Sequence, residues 1–312
     1  MATYASLLRK SAIRNGSIQL RNGQISAGGA MEPFNARGHD SVFYVDGNRQ
    51  NEGDGKTWGS AFDTLAAGLA AAHTYMSTSA NRAWAHRATV YCCGDIFVEN
   101  LVLGAERSDV IGCGSSNGYT KCFLDGLHVP ATTNTWGMRW FNMAFGSTTQ
   151  GALFTLTSIS GGMEFNNCIF SSRGPVHTIA VKATAISSLK IRDCHFEGAP
   201  ADFSTAAIDI GAGDAAQVVI ERNYIVGTIG IRIDIGATTT AGNIIIRDNT
   251  IKASGMTIDD NSKLAIITGN QLISEADNTT IGNCLDYNTA LAADNILTGS
   301  SDTQSAPFVT HA

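Results

Sequence analysis

Between about Trp140 and Leu297 the chain alternates short aliphatic runs with single polar turns, and the pattern recurs at near-constant intervals. Seven segments read alike: Trp140–Phe145, Phe165–Ile169, Arg192–Phe196, Arg222–Ile225, Asp248–Ile251, Gly269–Leu272 and Asp294–Leu297. With Asn142, Asn167, Cys194, Asn223, Asn249, Asn270 and Asn295 taken as equivalent, the steps are 25, 27, 29, 26, 21 and 25 residues. The runs between them, such as Gln217-Val-Val-Ile220 and Asn243-Ile-Ile-Ile246, are β-branched and carry no helical period. One such unit cannot bury its own apolar face, whereas units stacked with a strand every ~4.8 Å can. The pattern therefore predicts an all-β protein, a parallel β-helix over residues 81–298. Asparagine suits the turns because it tolerates left-handed backbone angles and its amide both donates to and accepts from the same amide one coil away. Cys194, small and apolar, still fits such a turn.

A second series runs through the same repeats. Asp209, Asp234 and Asp259 each follow an isoleucine and Asp286 follows a leucine, at steps of 25, 25 and 27 residues, with Lys182 one coil earlier. Strand alternation turns these side chains outward if the aliphatics face in. Carboxylates stacked ~4.8 Å apart repel by about 1 kcal/mol per pair in water and by several times that away from it. The column thus needs an offset: a bound cation, raised pKa values, basic residues of a partner, or plain solvation.

Upstream the period changes. Ser41–Val45 reads as a strand, and Trp58, Phe62, Leu65, Leu69 and Ala72 recur at helical spacing, predicting an amphipathic helix to about Met76. Ser60 or Asp63 is placed to serve its N-terminus. Residues 41–80 are then a strand and a helix that caps the open end of the solenoid. Residues 1–40 read as an extended arm with a small hairpin around Arg21-Asn22-Gly23, and residues 299–312 as a polar tail.

Composition narrows the class. Of 312 residues, 15% are charged and 33 are glycine, which suits strands joined by tight turns. No apolar run is long enough to span a membrane, and Met1-Ala2-Thr3-Tyr4 lacks the layout of a signal peptide. The seven cysteines are odd in number and lack zinc-ligand spacing, so they read as buried free thiols of a chain made in a reducing cytoplasm. Residues 1–40 hold five basic and two acidic residues, a net of +3, against −9 for the remainder. Arg9, Lys10, Arg14 and Arg21 are the candidate docking residues of that arm. Their wide spacing without interleaved aromatics argues against nucleic acid.

Phe43-Tyr-Val-Asp-Gly47, Asp54-Gly55 and Trp58-Gly-Ser-Ala-Phe62-Asp-Thr-Leu65 together resemble the opening of pectate-lyase-like right-handed parallel β-helix proteins. The resemblance extends at the level of fold over residues 42–298. It implies a right-handed coil and three possible settings: polysaccharide lyases and hydrolases, phage tailspikes, and proteins that decorate phage capsids. Members of the family that cleave polygalacturonate carry Gly-His-Gly and Arg-Ile-Lys segments, and neither occurs here. Asp209, Asp234, Asp259, Asp260 and Asp286 are the carboxylates a glycosidase would draw on. Arg192, Arg222 and Arg247 recur once per coil, as a structural role predicts. The aromatics from Phe123 to Phe154, Trp136 and Trp140 among them, fit the interior of wide early coils, with a sugar-binding platform as the alternative. The expectation is a non-enzymatic virion protein, most simply a capsid decoration protein. The resemblance implies a homotrimer, and the arm a partner such as the major capsid protein. No metal or cofactor is expected. A tailspike or polysaccharide lyase or hydrolase is the alternative.

Overall fold

A computed structural model describes residues 13–14, 17–18, 41–78, 86–94, 96–102, 105–114, 122–130, 137–157, 159–171, 177–184, 186–197, 203–211, 215–234, 243–260, 265–274 and 291–299. The chain divides into Met1–Gly38 and His39–Ala312. Within the first unit, Ile13–Arg14 and Ser17–Ile18 pair antiparallel on either side of Asn15-Gly16. The hairpin expected at Arg21-Asn22-Gly23 lies outside the described residues, as do Arg9, Lys10 and Arg21.

The second unit is a parallel β-solenoid. Ten strands, from Val42–Asp46 to Leu291–Ala293, form a first sheet, and nine, from Ile96–Val98 to Ile296–Gly299, form a second. A third sheet holds five strands: Ala152–Leu156, Ile179–Ala183, Ala206–Ile210, Ile231–Ile233 and Ile258–Asp260. Five coils therefore present all three faces.

Register puts equivalent side chains into interior columns. In the first sheet Val90, Val110, Trp140, Phe165, Ile191, Ile220, Ile246 and Ile267 stand one above another. The second sheet stacks Phe145, Phe170 and Phe196 below Ile225, Ile251 and Leu272. Rings fill the early coils and branched aliphatics the later ones. Phe170 and Phe196 lie face to face with centroids 4.5 Å apart, close to the strand spacing. Trp140, Phe145 and Phe154 are buried in this core and pack edge to face, so these rings line the interior rather than a sugar platform.

The corner between the first and second sheets holds the asparagine ladder. Asn223 donates its backbone N–H and its Nδ2 to Asn249 Oδ1, both at 2.9 Å, and Nδ2 also donates to Ile191 O of the coil before. Asn249 repeats the pattern toward Asn270, and Asn270 toward Asn295. Both Nδ2 hydrogens of Asn223, Asn249 and Asn270 are used, and burial makes each bond costly to lose. Asn142 and Asn167 stand one position earlier than expected. Both take left-handed angles (φ 56° and 50°), the place held in later coils by Asp193, Arg222, Asp248, Gly269 and Asp294. Their ladder equivalents are Met143 and Cys168. From Cys122 onward the column therefore runs Cys122, Met143, Cys168, Cys194 and then four asparagines. Cys194 does more than fit: its sulfur accepts from Cys168 N at 3.4 Å and its thiol donates to Phe165 O at 3.5 Å, as the amide does elsewhere.

The helix runs Leu65–Ser77 and buries Leu65, Gly68, Leu69, Ala72 and Met76. Neither Ser60 nor Asp63 caps it. Thr64 accepts from Ala67 N, and the Glu99 carboxylate accepts from Leu65 N and Ala66 N at 2.8 Å. Trp58 lies outside the helix in a short 3-10 turn and is exposed. Gly68 lets the helix approach the first sheet, because a Cβ there would stand 2.4 Å from Val45 Cγ2.

Asn249→Ala removes the acceptor of two buried donors and should destabilise the fold by about 2–4 kcal/mol in denaturant unfolding. Asn249→Asp should cost more, since a buried carboxylate would then face Ile220 O and Asn270 Oδ1. His128, buried beside Phe154 with Nδ1 accepting from Leu101 N, is held neutral by burial, its pKa lowered from 6.5 to about 3. The unfolded chain takes up this proton below pH 6.5 while the folded chain refuses it. Stability is thus complete above pH 6.5 and falls by about 1.4 kcal/mol per unit towards pH 3. His128→Gln should lower stability at pH 8 yet show a shallower loss between pH 6 and 4 than the parent chain.

Candidate functional site

The acidic column of the third sheet is built differently from the sequence expectation. Strand register aligns Lys182 with Asp209, Asp209 with Arg232, and Arg232 with Asp259. Asp234 follows the strand, outside the column, and is exposed. Among the described residues the column therefore alternates in sign, with Arg232 between Asp209 and Asp259. Asp286 lies outside the described residues. Arg232 grips Asp209 with two bonds, Nε to Oδ1 at 2.9 Å and Nη2 to Oδ2 at 2.8 Å. Only 3% of Asp209 is exposed, so this fork is shielded from water. It holds the Arg232 guanidinium above its usual range, with the charges of Asp209, Asp259 and Asp234 adding to the effect. Asp260 points the other way, continuing the inward column of Ile210 and Ile233, and is fully buried.

The same alternation recurs on the first sheet. Asp109, Arg139, Glu164 and Lys190 form one outward column. Asp109 receives Arg139 through Nε at 2.7 Å and Nη2 at 2.6 Å, and Arg87 on its other side. Burial pushes the Asp109 carboxyl up, but the two guanidinium groups outweigh it and hold the pKa below the usual value. A second column runs Arg192, Glu221, Arg247. Glu221 is nearly buried and meets three cations: Arg192 at 2.8 Å, Arg222 at 3.1 Å and Arg247 at 2.5 Å. Burial raises its pKa, but the Arg247 bond and the charges of Arg192, Arg247 and Arg222 outweigh that and leave it net depressed.

At the left-handed turn, Arg222 stands between Asp193 and Asp248 and forks onto Asp193 at 2.8 and 2.9 Å. A long basic residue is unusual at φ 56°, where Asn, Asp and Gly are the common occupants. Arg192, Arg222 and Arg247 therefore do not hold one equivalent place in each coil: Arg192 and Arg247 flank Glu221 in register, and Arg222 stands one residue later at the turn.

Asp109 and Glu221 are thus held below the usual carboxylate range by fixed guanidinium groups, which suits cross-coil clamps and opposes the raised pKa a general acid requires. His195 is half exposed, stacks on Tyr224 at 4.7 Å and meets Glu197 at 3.0 Å. Sequence reasoning missed Arg232 as a column member. Ile231-Arg232-Ile233-Asp234-Ile235 offers two outward positions, and the even 25-residue step favoured Asp234 over the correct 23-residue step. The signal available was charge itself: Arg232 alternates in sign with Asp209 and Asp259, whereas Asp234 in the same place would repel them.

Comparison of the chain with protein-family models, with curated proteins and with solved structures returns no match.

Arg232→Glu would make three successive column positions after Lys182 acidic (209, 232 and 259) and should destabilise the solenoid by about 3–5 kcal/mol. Asp234→Asn, two residues away but outside the column, should change stability by less than about 0.5 kcal/mol. A double-mutant cycle of Asp209→Asn with Arg232→Gln, read by chemical denaturation, should give a coupling of about 1–3 kcal/mol.

Proposed function

We propose that the protein is a non-enzymatic structural component of a phage virion: a capsid decoration protein whose arm, residues 1–40, docks onto the major capsid protein. The observation that carries this reading is the outer charge lattice. Asp209, Asp109 and Glu221 are each clamped by arginine from a neighbouring coil, so the solenoid's carboxylates serve its stacking. A stack held in this way has its coils tied to one another across its outer faces, the mechanical property a surface fitting needs. Two sequence features support the setting. Phe43–Leu65 resembles the opening of β-helix proteins found in virions, and the +3 arm contrasts with the −9 remainder. In this reading the Leu65–Ser77 helix caps the first coil, the chain assembles as a homotrimer, and Arg9, Lys10, Arg14 and Arg21 meet acidic capsid surface.

Immunogold labelling of source particles, comparing the full chain with a deletion of residues 2–40, tests the assignment. Gold over the head that disappears with the deletion is the expected result. Gold confined to the tail would replace the reading with a tailspike acting on surface glycans, and particles without gold would remove the virion setting altogether.

A further inference from the structure

The first coils bring two thiols side by side on the outer face. Strand Ala88–Cys93 pairs in parallel with Ser108–Gly112, and the last aligned residues are Cys92 and Gly112. The chain continues in step for one more residue, since Cys113 N donates to Cys92 O at 2.8 Å. Cys93 and Cys113 are therefore equivalent positions of neighbouring coils. In strand Ala88–Cys93 the side chains of Ala88, Val90 and Cys92 are buried and those of Thr89, Tyr91 and Cys93 are not, so Cys93 faces outward. Cys113 is exposed. Cys92 and Cys122, by contrast, are buried in the core, out of reach of a solvent oxidant.

We propose that Cys93 and Cys113 are a redox-responsive pair that closes into a disulfide stapling two consecutive coils. Paired residues of adjacent parallel strands have Cα atoms about 4.8 Å apart, inside the ~4.4–6.8 Å window that a disulfide spans. The side chains leave the same face of the sheet with their Cβ atoms also about 4.8 Å apart, so the link needs rotation about χ1 and a small inward shift where the strands end, to reach the ~3.5–4.5 Å Cβ separation of a disulfide. The reaction balances with a low-molecular-weight disulfide as oxidant. The thiolate of one cysteine attacks oxidised glutathione and expels one glutathione thiolate. The second cysteine then displaces the other glutathione from the mixed disulfide, so two protein thiols are oxidised and two glutathione thiols are formed.

Attack requires a thiolate. Burial, the Asp46 carboxylate and the Cys113 sulfur push the Cys93 thiol up to about 11, and burial raises Cys113 as well. Closure is therefore slow at neutral pH and accelerates roughly tenfold per pH unit as the thiolate fraction rises, with no plateau by pH 9. Such a pair stays reduced in a cytoplasm and closes slowly once the protein meets an oxidising medium.

The test treats the full chain with oxidised glutathione at pH 8.5, quenches with acid and digests with trypsin without reduction. Trypsin cuts after Arg87, Arg107 and Lys121, which puts Cys93 and Cys113 in different peptides. The expected product is peptide 88–107 joined to peptide 108–121, with two of the seven thiols lost and the melting transition raised by roughly 5–10 °C. Cys93→Ser should abolish both the link and the shift, while Cys92→Ser should retain the link, which separates the outward pair from its buried neighbour. Separate glutathione adducts on Cys93 and Cys113 without a link would overturn the proposal. So would an unreacted pair after hours at pH 8.5, or a link that survives in Cys93→Ser.

Discussion

A parallel sheet sets each side chain about 4.8 Å from its equivalent in the next coil, and that single distance organises the molecule. Groups that attract their own kind are repeated down a column. Amides repeat at Asn223, Asn249, Asn270 and Asn295; rings repeat at Phe145, Phe170 and Phe196. Groups that repel their own kind alternate, as Lys182, Asp209, Arg232 and Asp259 do. Both arrangements answer one electrostatic condition. A neutral dipole can bridge to a copy of itself by donating on one side and accepting on the other, and a charge cannot.

The two kinds of column act together to fix register. A slip of one residue would turn the interior isoleucines outward. A slip of two restores the apolar face, because Ile231, Ile233 and Ile235 alternate evenly, but it sets Asp234 against Asp209 in place of Arg232. Hydrophobicity therefore leaves a two-residue ambiguity that charge removes. At the turn, the buried amide excludes the same slip, since only Asn223 reaches Ile191 O and Asn249 Oδ1 together. Sulfur takes over this corner in the early coils, where the larger aromatic core lies beside it. Cys168 and Cys194 offer the same donor and acceptor over longer, weaker bonds.

How far the candidate site could be read in advance follows from the same physics. The solenoid was legible because β-branched runs and turn residues recur with the coil, and recurrence survives any local misreading. The ladder from Cys194 to Asn295 was legible for the same reason. Asn142 and Asn167 were misplaced by one residue because asparagine suits both the left-handed position and the buried one, and composition alone does not separate them. The helix was legible from Leu65 to Ala72. Its cap was not, because Glu99 reaches Leu65 N and Ala66 N across 34 and 33 residues of sequence, a contact with no local signature.

By itself the sequence determined the class of fold, the approximate coil length and the nature of the interior, since each depends on periodic burial that every repeat restates. Tertiary structure decided which residue of each repeat meets which. It placed Arg232 rather than Asp234 beside Asp209, gathered Arg192, Arg222 and Arg247 around Glu221, and set Cys93 next to Cys113. Coil lengths here vary from 21 to 29 residues between ladder positions, so loops absorb the difference and sequence distance does not give register. The hydrogen bonds between coils do.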